Sequence, residues 1–235
     1  MSEAQPDLLR RATTEAIGTF MLVVAGCGAL ITDARYDGAL GAVGVSLVFG
    51  LVIMIMVAAG ATSGAHYNPG VSIAFTLTRH FPARDAIAYV AAQLTGATAG
   101  ALLLRAAYPD TPAHLGATVP TVGAGSALVL EAVATFALVY VIYAVATDTR
   151  NVGAPAAIAI GGAIALGSLW TGPATGGSFN TARSFGPALV SGEWKDFWVY
   201  VAGPLSGAIL GALAYQFVRG EDPAPPSLGS GRRDG

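Results

Sequence analysis

The chain contains 235 residues, of which 54% are hydrophobic and only 11% are charged. Soluble domains carry about a quarter charged residues, so this composition excludes a soluble enzyme and predicts a protein with several membrane spans. The 12 basic and 14 acidic residues are spread over short connections, so no nucleic-acid-binding surface is expected, and the single cysteine, Cys27, allows no internal disulfide.

Six membrane spans are predicted from the apolar runs, because a spanning helix needs about 20 such residues. In chain order they cover residues 14–32, 41–62, 84–106, 126–147, 153–170 and 197–218. The first is interpreted as a retained helix rather than a cleaved signal peptide, since Glu15 opens it and it is long enough to span. The expected fold class is an all-α membrane protein.

Two charge-free runs, residues 38–78 and 151–182, are too long for a single span. Each contains helix-breaking Gly, Pro and Asn residues near its end, at 63–70 and 171–180. Non-helical backbone at membrane depth survives only where it is buried in protein or lines a watery cavity. The sequence therefore predicts two re-entrant loops, followed by short half-helices near residues 69–78 and 181–190.

The basic residues predict how the chain crosses the membrane, because Lys and Arg favour the cytoplasmic side. One side would carry Arg10, Arg11, Arg79, Arg84, Arg150 and Arg219. The other side would carry Arg35, Arg105 and Lys195. Both termini are therefore expected in the cytoplasm, and the protein in the plasma membrane, or in the inner membrane if the source is bacterial.

The chain is predicted to consist of two related halves. Three pairs of segments match in the same order at nearly the same offset: those at Glu15 and Glu131, at Asn68 and Asn180, and at 96–102 and 207–213. Each half has three spans, an odd number, so the halves form an inverted repeat with its functional site near the midplane. The predicted divisions are a cytoplasmic N-terminus at 1–13, a first repeat at 14–110, a connecting loop at 111–125, a second repeat at 126–220 and a disordered tail at 221–235.

Asn68 and Asn180 are predicted to be the N-caps of the two half-helices. A capping side-chain oxygen accepts from first-turn N–H groups, so each amide N–H group would point away from its helix. The two helix dipoles would then present positive ends to the same midplane point and repel cations. Arg183, three residues past Asn180, is expected to face water, offering fixed donors and a further positive barrier.

These residues resemble the aquaporin, or major intrinsic protein, family. The resemblance rests on SGAHYNPG at 63–70, NTARSFGPAL at 180–189, the Glu-led repeats and Gly203-Pro204. The family's paired Asn-Pro-Ala boxes are altered to Asn-Pro-Gly at 68–70 and Asn-Thr-Ala at 180–182. In appearance the chain is most similar to the nodulin-like branch and its bacterial relatives.

The resemblance implies a pore and its lining. The selectivity ring that it carries over consists of Phe49, Ser168, Gly177 and Arg183, with Val48 as the competitor of Phe49 because the stretch to Asn68 is one residue short. His66 is expected to fix the first loop. The carbonyls expected to face the pore belong to Gly64, Ala65, His66, Gly176, Gly177 and Ser178. A homotetramer in the lipid bilayer, with one pore per subunit, is also implied.

Apart from Asp85, the second residue of the third predicted span, Glu15 and Glu131 are the only acidic residues inside the predicted spans. In a secondary transporter such carboxylates could carry protons. In the resembled family they accept N–H groups from the re-entrant loops, and their equivalent positions in the repeat favour this structural role. No cofactor and no metal site is expected, because His66 has no suitably spaced partners.

The predicted function is passive permeation of water and small uncharged solutes, without enzymatic chemistry. Ser168 and Gly177 indicate a wider filter than a water-only channel has, whereas Ser184 and Ala188 match the water-channel pattern. Glycerol, urea and metalloid hydroxides such as boric, silicic or arsenous acid therefore remain open as solutes. The alternative is a proton- or ion-coupled carrier with broken helices.

Overall fold

The computed structural model describes residues 6–147 and 154–220. Within these ranges six helices are long and apolar enough to cross a membrane, and none of the described residues forms a strand. These helices are α1 (Leu8–Arg35), α2 (Gly41–Ala59), α4 (Ala83–Ala107), α5 (Ala124–Ala146), α6 (Ala154–Thr175) and α8 (Val199–Arg219). The half-helices are α3 (Pro69–Leu77) and α7 (Thr181–Ser191). The predicted all-α architecture is confirmed, while the predicted disordered tail and Arg150 lie outside the described residues.

Helix α1 is longer at both ends than the predicted span 14–32. Its start is fixed by Asp7, whose side chain accepts from the backbone N–H of Arg10. A π-helical turn at Val23–Cys27 interrupts it without ending it, and the helix continues to Arg35. Asp33 therefore lies inside α1, and Asp85 lies in the first turn of α4. The predicted bounds 14–32 leave Asp33 outside the first span and are wrong in that respect, so Glu15 and Glu131 are not the only acidic residues inside the spans.

The predicted break at Thr171 is also wrong, because α6 continues to Thr175. Pro173 lies in its last turn, where the missing N–H leaves only the carbonyl four residues earlier without its helical partner. The chain leaves the helix at Gly176, whose φ of +84° suits glycine. The second re-entrant loop is thus confined to residues 176–180, and the first runs from Gly60, just after α2, to Asn68.

The two halves pack in the same way. Helix α1 packs on α4 and α5 packs on α8, while α2 and α6 meet across the repeats. Each half-helix contacts the last span of the other half, α3 on α8 and α7 on α4. Gly96 lies so close to the Ala16 carbonyl that a Cβ would overlap it, and Gly207 has the same relation to Ala132. These matching contacts bring the two re-entrant loops together in the centre of the bundle.

Candidate functional site

Asn68 and Asn180 cap the half-helices as the sequence predicts. The Asn68 Oδ1 atom accepts from the backbone N–H of Gly70 at 2.9 Å. The Asn180 Oδ1 atom accepts from Ala182 at 3.0 Å and from Arg183 at 3.3 Å. Both asparagines have extended backbone, as N-caps do, and both are buried. Their amide nitrogens therefore point away from the helices that they cap.

A reciprocal pair of hydrogen bonds joins the two loops, which the sequence analysis did not foresee. The Asn68 Nδ2 atom donates to the Phe179 carbonyl at 2.7 Å, and the Asn180 Nδ2 atom donates to the Tyr67 carbonyl at 2.7 Å. An amide nitrogen carries two hydrogens, so each asparagine keeps a second donor. The acceptors are backbone carbonyls, which every residue has, so the residue types at 67 and 179 carried no signal for these bonds.

The Glu15 carboxylate lies under the first loop and is fully buried. It accepts from the backbone N–H groups of His66 at 3.0 Å and Tyr67 at 2.6 Å. It also accepts from the Ser63 hydroxyl and from the Gln93 side chain, each at 2.7 Å. All of these donors favour a carboxylate that holds the loop in place.

The Glu131 carboxylate makes the equivalent contacts in the second half. It accepts from the backbone N–H groups of Ser178 at 3.0 Å and Phe179 at 2.8 Å, and from the Thr175 hydroxyl at 2.6 Å. Within the described ranges no group of three His, Cys, Asp or Glu side chains is placed to hold a metal ion. Both carboxylates thus bind loop backbone.

Replacing Glu131 with alanine is expected to destabilise the fold, because the N–H groups of Ser178 and Phe179 would lose their acceptor. Each buried donor left without a partner costs about 1–3 kcal/mol. Glu131→Gln keeps one acceptor oxygen and should be milder. Thermal unfolding of the purified proteins in detergent measures their melting temperatures. We expect the wild type to have the highest value, Glu131→Gln a lower one and Glu131→Ala the lowest. Equal stability of the three proteins would show that Glu131 does not hold the loop.

His66 lies in the first loop and is fixed by side chains that follow this loop in the chain. Its Nδ1 atom is 3.0 Å from the Ser72 hydroxyl, and its ring stacks on Phe75 with a centroid separation of 5.0 Å. The edges of Phe81 and Tyr89 complete the surroundings of the ring. The side chain is thus held by packing on the half-helix that follows it.

Two cavities meet near the loops. The larger, of about 400 Å³, is lined by both asparagines, by Arg183 and by most of the predicted carbonyl residues: Gly64, Ala65, His66, Gly177 and Ser178. The smaller, of about 220 Å³, is lined by Asp33, Ser46 and Gly176 among others. Phe49 and Ser168 line both cavities, whereas Val48 lines neither. The two cavities therefore meet at Phe49 and Ser168.

Arg183 lies beside this meeting point and is only 1% exposed. Its Nη1 atom donates to the Gly116 carbonyl at 2.7 Å, and its Cζ atom lies 4.9 Å from the centroid of the Phe49 ring. Its Nε and Nη2 atoms and the buried Ser168 hydroxyl have no partner in the described part of the chain. The site thus holds a fixed positive charge with spare hydrogen-bonding groups at a cavity wall.

The connecting segment before α5 holds this arginine, and the sequence analysis missed it. Besides the Gly116 contact, the Thr118 hydroxyl donates to the Ser184 hydroxyl at 2.8 Å. Gly116 has φ of +76°, and a Cβ there would press on Cys27. The one sequence feature that indicated a close approach of this segment to α1 was the glycine at position 116.

The arrangement matches a known family. The family model described as "Major intrinsic protein" matches residues 2–215. The chain belongs to the major intrinsic protein family. This major intrinsic protein is 45% identical over 212 residues to aquaporin NIP1-1 of Zea mays, covering 90% of this chain and 75% of that protein. It is 42% identical over 215 residues to nodulin-26 of Glycine max, covering 91% and 79%.

A solved structure supports the fold. The aquaglyceroporin from Plasmodium falciparum superposes with a TM-score of 0.77 at 24% identity, covering 89% of this chain and 96% of that one. The fold is therefore that of the resembled family. As a member of a channel family, this major intrinsic protein is a passive channel for water and small solutes and not an enzyme.

Proposed function

We propose that the conducted solute passes from one cavity to the other between Phe49 and Ser168, and that these residues form the narrowest ring with Gly177 and Arg183. The observation that carries this proposal is that both cavities share Phe49 and Ser168. The aromatic ring supplies an apolar wall, and Arg183 supplies donors to the cavity that Ser168 also lines, whose hydroxyl has no partner among the described residues.

Along this route the solute exchanges hydrogen bonds with fixed groups. The carbonyls of the loop residues accept from it: Gly64, Ala65, His66, Gly176, Gly177 and Ser178. The second amide hydrogens of Asn68 and Asn180 donate to it, and they are held in place because the first hydrogens are bound across the repeat. Apolar residues of α2, α5 and α6 form the facing wall of the larger cavity. A polar lining on one side and an apolar wall on the other favour single-file passage.

Charge would be excluded by two features. The N-termini of α3 and α7 meet through their capping asparagines, and each contributes about half a positive charge. Arg183 adds a full charge in surroundings where screening is weak. Protons and small cations are repelled by both features.

The filter side chains favour small uncharged solutes in addition to water. Ser168 and Gly177 occupy little volume, and the serine adds one hydroxyl. Glycerol, urea and metalloid hydroxides such as boric, silicic or arsenous acid are the candidates of suitable size. The structural relative from Plasmodium falciparum is named an aquaglyceroporin, and that name agrees with such a solute class.

The expected surroundings are a lipid bilayer and three further copies of the chain. The surface of helix α2 indicates apolar surroundings, because it exposes a row of apolar side chains at four-residue spacing: Val43, Leu47, Leu51 and Ile55. A homotetramer in the plasma membrane, or in the inner membrane of a bacterium, with both termini cytoplasmic, is proposed from the family resemblance and the basic residues.

Passive flux is expected to be independent of ion gradients, in contrast to the coupled-carrier alternative. Each carboxylate that a carrier would use, Glu15 or Glu131, already accepts three or more hydrogen bonds from its own repeat. Stopped-flow light scattering on proteoliposomes should give the same water and glycerol permeabilities before and after the pH and Na⁺ gradients are collapsed. Accumulation of glycerol against its gradient, driven by either ion, would contradict the channel.

A further inference from the structure

We propose that the smaller cavity is a binding site for neutral, hydroxylated solutes, and that Asp33 is its specificity-determining acceptor. The proposal rests on the route described above and adds a selective step before the filter. It concerns a residue that the sequence analysis placed outside the first span.

Asp33 is held in a fixed position on the wall of this cavity. Its Oδ1 atom accepts from the backbone N–H groups of Leu40 at 3.0 Å and Gly41 at 2.7 Å, at the start of α2. The positive end of that helix favours a negative group there. The Oδ2 atom has no hydrogen-bond partner among the described residues, so one carboxylate oxygen remains available to a ligand.

Two serine hydroxyls complete the polar side of the cavity. Ser168 is 7% exposed, and its hydroxyl has no partner in the part of the chain that the structure describes. Ser46 is 5% exposed and lines the same cavity, again with no hydrogen-bond partner within the described ranges. A buried hydroxyl without a partner is costly, so the position of Ser168 favours a ligand that supplies one, and Ser46 offers a second hydroxyl on the same wall.

The chemistry of these groups selects the ligand. A carboxylate only accepts hydrogen bonds, whereas serine hydroxyls both donate and accept. The rest of the wall includes the apolar side chains of Leu30, Val45 and Phe49, which suit a short carbon skeleton or a compact core. A small polyhydroxylated neutral molecule satisfies both sides at once, while an anion is repelled by the carboxylate.

The position of Ser168 connects this site to the filter. Because Ser168 lines both cavities, a solute hydroxyl bound to it can remain bound while the solute leaves Asp33 and reaches the free donors of Arg183. On the way from the smaller to the larger cavity, the solute therefore meets the acceptor oxygen of Asp33 first and the donors of Arg183 second. The site therefore favours molecules that can donate and accept in turn, as alcohols do.

The test compares Asp33→Asn with a matched control. Asparagine keeps an oxygen to cap α2 but replaces the free carboxylate oxygen with an amide donor. Asp37→Asn removes the same charge from the nearby connection, at an exposed residue that does not line the cavity and whose positive φ asparagine tolerates. Ser46→Ala tests the site without changing any charge.

Proteoliposomes are assayed for ethylene glycol, glycerol and boric acid, each expressed as a ratio to water permeability in the same vesicles. We expect the ratios to fall about fivefold in Asp33→Asn, as for a lost hydrogen bond to a charged group that is open to water, and less in Ser46→Ala. Asp37→Asn should match the wild type. Unchanged ratios in Asp33→Asn and Ser46→Ala, or an equal fall in Asp37→Asn, overturn the proposal.

Wild-type vesicles that conduct water but none of the three solutes also overturn it. Wild-type vesicles that conduct neither water nor any of the three solutes would instead refute the proposed route itself. The two failures are thus distinguished by the water measurement alone.

Discussion

Arg183→Ala should make the channel leak protons while water and glycerol still pass. The substitution removes the one full positive charge at the meeting point of the cavities, where burial keeps screening weak. The partial charges of the two half-helices remain, so exclusion is weakened rather than abolished. We expect proton permeability to rise by about tenfold or more, the effect of lowering a barrier by at least 1.4 kcal/mol.

Arg183→Lys is the matched control for this substitution. Lysine keeps the charge but lacks the planar group that reaches both Gly116 and the Phe49 ring. It should stay tight to protons while its solute selectivity changes. Vesicles loaded with a pH-sensitive dye report the leak after an imposed pH step. An Arg183→Ala variant that stays impermeable to protons but no longer conducts water would show that Arg183 acts only as an anchor for the connecting segment.

Most of the fold follows from local sequence patterns. Apolar runs of the right length predict the spans, and runs that are too long predict the re-entrant loops. The repeat predicts that Asn68 and Asn180 meet, because an inverted duplication brings equivalent breaks to one depth. Hydrophobicity and helix breaking act over a few residues, so they can be interpreted without knowing the tertiary structure.

Other features depend on contacts between distant segments. Pro173 is tolerated in the last turn of α6, so a proline does not by itself locate the break. The Gly116 carbonyl reaches Arg183 only because the connecting segment folds back into the bundle. Asp33 gains its place on a cavity wall because α1 continues three residues past the predicted end. Apart from the glycine at position 116, none of these features has a local signature in the sequence.

Ser168→Trp is expected to close the channel. Ser168 lies on the wall that both cavities share, so a large side chain there has space on either side and would occupy the opening next to Phe49. Filling the passage should stop water and solutes together. The buried contacts of the loops with Glu15 and Glu131 are made by other residues, so the bundle should still fold.

Leu166→Trp is the matched control, because it places the same side chain on α6 at a residue that is 67% exposed on the outside of the bundle. Stopped-flow osmotic water permeability of the two variants at equal protein density tests the proposed route most directly. We predict permeability at the level of empty vesicles for Ser168→Trp and at the wild-type level for Leu166→Trp. Wild-type permeability in a folded Ser168→Trp variant would contradict a route between Phe49 and Ser168.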